Sequence, residues 1–171
     1  MKKQNDIRFI IREMKEEEYP LLEEFLYQAI FIPPSYKEQV PRDIIYRDEL
    51  YRHINAFGTL PDDICLVAVK DGKVVGAVWS RTVEEYGHID ERTPSLSISV
   101  LGTYRSQGIG SALLEEMLSV LKDRGYERVS LSVQKENYAV SMYRKAGFEV
   151  IGDGADSSEW LMIRSLDNKS R

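Results

Sequence analysis

Cysteine is almost missing from this chain: Cys65 stands alone among 171 residues. No disulfide can form within it, as expected of a protein from a reducing, cytoplasmic compartment. Cys65 lies inside the apolar run Ile64–Val69 with no histidine nearby in sequence, so it reads as a small buried hydrophobe rather than a catalytic thiol. Long apolar runs are lacking too. No stretch approaches the length of a membrane span, and the charged start, with Arg8, Arg12 and Glu13, does not read as a signal peptide. A basic excess is also absent: 23 Lys and Arg stand against 28 Asp and Glu, a net charge of −5. That argues against a nucleic-acid partner, which would want a basic face, and permits a cationic acceptor such as an amine. No repeat, linker or low-complexity stretch divides the chain and no metal site is read from it. One domain over residues 1–171, with a polar tail at 165–171, is expected.

What is present is organised around Ser95 to Asp123. Leu96, Ile98 and Val100 alternate with Ser95, Ser97 and Ser99, the period of a strand. From Ile109 the spacing changes: Leu113, Leu114, Met117, Leu118 and Leu121 recur at helical intervals. The junction between them reads Arg105-Ser106-Gln107-Gly108-Ile109-Gly110-Ser111. A helix start carries backbone N–H groups with no partner inside the helix, and its dipole adds partial positive charge. Such an end can hold a phosphate or diphosphate. Gly108 and Gly110 let the anion approach the backbone, and Arg105 adds a cation. The run has neither the Lys-Ser/Thr ending of a P-loop nor the dinucleotide fingerprint.

The rest of the chain supplies a regular set of elements. A strand is expected over residues 7–12, a helix over 15–30, and a loop at Phe31–Tyr36, where Pro33 and Pro34 forbid helix. A second helix is read from Arg42 to about Ala56. Strands 64–70 and 73–81 flank Asp71-Gly72, a hairpin turn. Residues 82–94 are polar and acidic and read as an extension of the flanking strands or a longer turn. After the central helix, capped by Gly125, come a strand at 129–133, a helix at 138–146, and strands at 148–151 and 159–164. Two strands joined by a helix lie parallel, with a right-handed crossover.

Arg-x-x-Gly-x-Gly at 105–110, after a strand ending at Val100 and after Tyr104, resembles the acyl-coenzyme A loop of the GNAT superfamily of N-acetyltransferases. Asn137-Tyr138-Ala139 through Tyr143 to Ala146-Gly147-Phe148 resembles that family's second half-motif. The match is close over residues 95–152. It departs at Gly102, where many relatives have proline. The resemblance implies an α/β fold with one mixed, mostly antiparallel seven-stranded sheet, its central parallel pair splayed apart, flanked by about four helices. It implies acetyl-CoA as co-substrate and transfer of its acetyl group to a primary amine of a small molecule or peptide. A homodimer is compatible with it. The alternative is a non-catalytic acyl-CoA sensor of the same fold.

The resemblance also implies roles. Coenzyme A would pair with the backbone near Ile98 and Val100, rest its diphosphate on Arg105, Ser106, Gln107, Gly108, Ile109, Gly110 and Ser111, and meet Asn137 and Tyr143. The Val100 N–H would stabilise the oxyanion, unless it pairs normally in the sheet. The Tyr143 phenol would protonate the departing thiolate, as well as packing on its helix face. Asn137 either bonds the pantetheine arm or caps a helix. The base is open. Many relatives carry glutamate on the strand where this chain has Ser95, Ser97 and Ser99; a serine there could hold a relaying water or bond neighbouring backbone. Glu84, Glu85, His88, Asp90 and Glu91 precede that strand, and His53 reads as structural. Phe31–Tyr36, the second helix and residues 82–94 would frame the acceptor.

Overall fold

The computed structural model describes residues 8–82 and 88–166. Its strands are β1 (Ile10–Glu13), β2 (Ile64–Lys70), β3 (Lys73–Arg81), β4 (Ser95–Val100), β5 (Arg128–Gln134), β6 (Glu149–Asp153) and β7 (Glu159–Ser165). Its α-helices are α1 (Leu22–Ala29), α2 (Asp48–Tyr51), α3 (Ile109–Asp123) and α4 (Ala139–Lys145). The seven strands form one sheet in the order β1-β2-β3-β4-β5-β7-β6. Every neighbouring pair is antiparallel except β4 and β5, which are parallel. The expected fold class is the one found.

Two apolar clusters cover the two faces. On one, Ile109, Leu113, Leu114, Met117 and Leu121 of α3 pack with Leu96, Leu131 and Val133 of the sheet and with Tyr143 of α4. Five buried α3 side chains at helical spacing hold the helix down, at about 1.5–3 kcal/mol for each large one. On the other face, Leu22, Phe25 and Leu26 of α1 meet Ile45, Ile54, Val67, Ala77 and Trp79.

The first two helices differ from the expected spans. Residues 16–21 wind as a 3-10 helix with Pro20 inside it, and the regular α1 begins only at Leu22. Proline has no N–H to donate and crowds the preceding turn, which favours the tighter winding there. The stretch read as one helix from Arg42 breaks into a 3-10 helix (Arg42–Tyr46), the four-residue α2 and a run of turns. The break falls at Arg47, whose ψ of 138° is extended. Of the strand expected over residues 7–12, position 7 lies outside the described residues, as do 83–87 and 167–171.

Candidate active site

The centre of the sheet is an incomplete pair. β4 and β5 share a single registered pair, Ser95 with Ser130, and the Ser130 amide donates to the Pro94 carbonyl at 3.0 Å. At the other end the Leu101 amide donates to the Val75 carbonyl at 2.9 Å, on the β3 side. Backbone groups of a strand alternate between its two edges. Odd-numbered residues of β4 therefore face β3, and the amides of Ile98 and Val100 face the widening gap toward β5. Among the described residues no strand is in register with them. The Val100 amide, the candidate oxyanion donor, thus lies on the edge of β4 where it parts from β5.

Beyond Val100 the chain turns through Gly102–Tyr104 into α3. Gly108 precedes the helix at φ 83°, in the left-handed region where glycine has no Cβ clash. Its carbonyl accepts from the Ala112 amide at 3.1 Å, so the amides of Ile109, Gly110 and Ser111 form the open first turn. A Cβ at Gly108 would meet nothing within 4 Å, so the chain is open there. A Cβ at Gly110 would touch Met142 Sδ at 3.4 Å and Val100 Cγ2 at 3.9 Å, which places α4 and the end of β4 beside the turn. Ser106 also takes a positive φ, 61°. Two cations that the sequence reading passed over stand close by. Lys70 Nζ donates to Gln107 Oε1 at 3.1 Å, and Lys70 and Lys73 lie 6.0 and 5.9 Å from the Tyr104 ring centroid.

The Arg105 side chain turns elsewhere. Its Nε donates to the Val100 carbonyl at 2.9 Å, and one terminal nitrogen donates to Gln28 at its carbonyl (3.2 Å) and Oε1 (3.3 Å). It ties β4 to the end of α1 while remaining exposed. Asn137 Oδ1 accepts from the Ala139 amide at 2.9 Å, so its oxygen caps the start of α4 and only its NH2 group is left to reach outward.

Tyr143 is 8% exposed, its ring edge-to-face with Phe148 at 5.8 Å. Burial pushes its phenol up, so it is protonated at any neutral pH. Met142 of the same helix lies against Gly110, which brings α4 to the mouth of the same gap.

The other candidates separate. Cys65 is 2% exposed in β2 and burial pushes its thiol up, consistent with a packing residue. Asp90 is bonded to Arg128, Thr93 and the Arg92 amide at the far end of β4 and is lowered mainly by Thr93. With Glu91 it lines a broad depression with Arg128 and Arg164, beyond the Ser95 end of β4, itself five residues and about 17 Å of strand from Val100. Glu84, Glu85 and Tyr86 lie outside the described residues. Ser99 Oγ donates to the Phe25 carbonyl at 2.7 Å, so it serves the packing of α1. Ser97 Oγ instead lies 3.4 Å from His53 Nδ1. Nothing in sequence links those two, which are 44 positions apart. Among the described residues no group of His, Cys, Asp or Glu could hold a metal, and no helix is long and apolar enough to cross a membrane.

Set against known proteins, residues 15–148 match the model of the Acetyltransferase (GNAT) family. An N-alpha-acetyltransferase of Saccharolobus solfataricus is 35% identical over 116 residues, covering 58% of this chain and 68% of that protein. The ribosomal protein bS18-alanine N-acetyltransferase of Haemophilus influenzae is 29% identical over 114 residues, 63% of this chain and 74% of that protein. Among solved structures, the PaiA N-acetyltransferase of Thermoplasma acidophilum, in complex with coenzyme A, superposes with a TM-score of 0.67 at 22% identity, over 92% of this chain and 99% of that one. An acetyltransferase of the GNAT family from Streptococcus pneumoniae gives a TM-score of 0.66 at 24% identity, over 94% and 100%. At those identities the superpositions speak for the fold.

Proposed function

Because the chain belongs to the acetyltransferase (GNAT) family, we propose that it is an acetyl-CoA-dependent N-acetyltransferase whose acceptor is the α-amine of a peptide or protein. The acceptor class is carried by the relatives: one is named for N-alpha-acetylation and another for the alanine of a ribosomal protein. The observation on this chain that supports the chemistry is the single Ser95–Ser130 pairing between β4 and β5. It turns the Ile98 and Val100 amides toward the gap beside the first turn of α3, where Met142 of α4 lies against Gly110.

The chain's groups divide the work. The amides of Ile109, Gly110 and Ser111 hold the diphosphate, with Lys70 and Lys73 adding positive charge nearby. Arg105 serves this site by holding the end of β4 as well as by its charge. The Ile98 and Val100 backbone receives the pantetheine amides as a further strand would. A backbone N–H at Val100 donates to the oxyanion as the amine's lone pair forms the new C–N bond, with no reorganisation needed. As the C–S bond breaks, Tyr143 donates its phenolic proton to the sulfur. Asn137 contributes its NH2 group to the arm while its oxygen caps α4.

The test is thiol release from acetyl-CoA with and without a panel of peptides differing at the first residue. Release that requires a free peptide N terminus supports the reading. No release with any amine, in a protein whose melting temperature acetyl-CoA raises, supports an acyl-CoA sensor and overturns it.

A further inference from the structure

Resting on the reading of this chain as an N-acetyltransferase, we propose that His53 takes up, through Ser97, the proton that the attacking amine sheds. No carboxylate on β4 is available for that proton; Ser95, Ser97 and Ser99 stand there. The odd-numbered side chains of β4 point to the face covered by α1 and residues 42–57, away from α3 and α4. If the diphosphate rests on α3, the amine reaches the thioester carbon from the opposite face, where Ser97 lies one residue from the Ile98 amide. Ser97 Oγ is 3.4 Å from His53 Nδ1 and both residues are half-buried.

The turn that carries His53 is pinned to the sheet. Arg81, at the end of β3, donates to the carbonyls of Arg52 (3.0 Å) and Asn55 (2.6 Å), on either side of His53. Arg81 and Asp63 form a buried ion pair, 3% and 0% exposed, with the guanidinium 5.2 Å from the Phe57 ring centroid. The Arg81 charge facing the turn is matched by Asp63, and Arg52 Nε donates to the Asp48 carbonyl at 3.0 Å.

Among the described residues two buried polar atoms of this face have no hydrogen-bond partner: Nε1 of Trp79, which registers opposite Ser97, and Oγ of Ser95, two residues back from Ser97. Buried polar groups are rarely left so unless a ligand or water meets them. With hydrogen on Nε2, His53 Nδ1 accepts from Ser97 Oγ. The nitrogen proton passes to Ser97 Oγ as the hydroxyl proton passes to Nδ1, leaving serine unchanged and an imidazolium. That imidazolium and the Tyr143 phenolate then return to rest by exchange with solvent.

Steady-state kinetics with acetyl-CoA and a peptide that the wild type acetylates test this. His53→Ala and Ser97→Ala should each lower kcat about 10²-fold, the scale of general base catalysis, with KM for acetyl-CoA and the acetyl-CoA-induced rise in melting temperature kept. Added imidazole should restore part of the His53→Ala rate. In 15N spectra of the two imidazoles, Ser97→Ala should move the His53 ring signals and not those of His88. Should His53→Ala not fold, Ser97→Ala decides by its kcat and that shift. Unchanged kcat, or a fall in kcat with neither imidazole rescue nor a shift, overturns the inference while leaving acetyl transfer standing. A wild type inactive toward every amine overturns the function itself, before any variant is made.

Discussion

Arg105 Nε donates to the carbonyl of Val100 at 2.9 Å, so the residue that opens the acyl-CoA motif also bonds the last backbone acceptor on the open edge of β4, taking one of its two lone pairs. A second nitrogen of the same guanidinium reaches Gln28 at the end of α1. The motif arginine therefore shapes the site from two elements at once, and its charge is only part of its contribution. Arg105→Ala should raise KM for acetyl-CoA several-fold, since a charge-assisted hydrogen bond in an exposed setting is worth about 1 kcal/mol. Arg105→Gln, which retains an N–H donor without charge, should recover most of that loss. Titrations of KM for the two variants separate the geometric role from the electrostatic one.

Tyr143→Phe should lower kcat about 10²-fold with KM for acetyl-CoA unchanged. The ring and its edge-to-face contact with Phe148 survive the change, so the melting temperature should hold. Because burial pushes the phenol up, no loss of activity from Tyr143 ionisation should appear through the alkaline limb accessible to assay. Equal turnover of the two proteins would remove the phenol from proton transfer.

The two glycines of the turn should behave oppositely. Gly108→Ala forces a side chain into φ 83° and should cost about 1 kcal/mol of stability and weaken acetyl-CoA binding through displacement of the first α3 amides. Gly110→Ala places a methyl at ordinary contact distance from Met142, inside a helix that prefers alanine. It should be neutral or stabilising by up to about 1 kcal/mol. Urea denaturation with and without acetyl-CoA measures both.

Arg81→Ala leaves Asp63 as a charge with no solvent exposure and no countercharge. It should cost about 3–5 kcal/mol, or roughly 10 °C in melting temperature for a domain of this size. Since Arg81 also holds the turn around His53, kcat should fall alongside stability even at temperatures where the variant is folded. Calorimetry and kinetics on one preparation check both parts.

Glu18 accepts two hydrogen bonds from Arg12, at 2.7 and 2.9 Å, and one from the Lys15 amide. The Arg12 bonds, outweighing desolvation, hold its carboxyl down at about 2. A carboxyl whose folded pKa lies below its unfolded value, about 4.3, stabilises the fold above that value and loses this as pH falls toward 2. Glu18→Gln should thus cost about 1 kcal/mol at pH 7, and the difference from wild type should shrink between pH 4.5 and 2. Urea denaturation at pH 7 and pH 3 reads it.

What the sequence determined alone were the features encoded by neighbours. The alternation of Leu96, Ile98 and Val100, the helical spacing from Leu113 to Leu121 and the glycines at the junction place a strand, a turn and a helix with bounds that hold. These depend on residues within a few positions of one another, and so does the start of α4, where Asn137 caps its own helix. The breaks in the first two helices were partly legible: Pro20 marked one, whereas nothing local marked Arg47, whose extended backbone follows from how residues 42–57 must lie over the sheet. Tertiary structure alone decided which way Arg105 points, that Asp90 belongs to Arg128 at the far end of the sheet, and that His53 meets Ser97. Each of these joins side chains from separate elements, and their meeting depends on how strands pair and how far β4 parts from β5. Periodicity carries no information about that distance, because it reports which face a residue occupies and not what lies across from it.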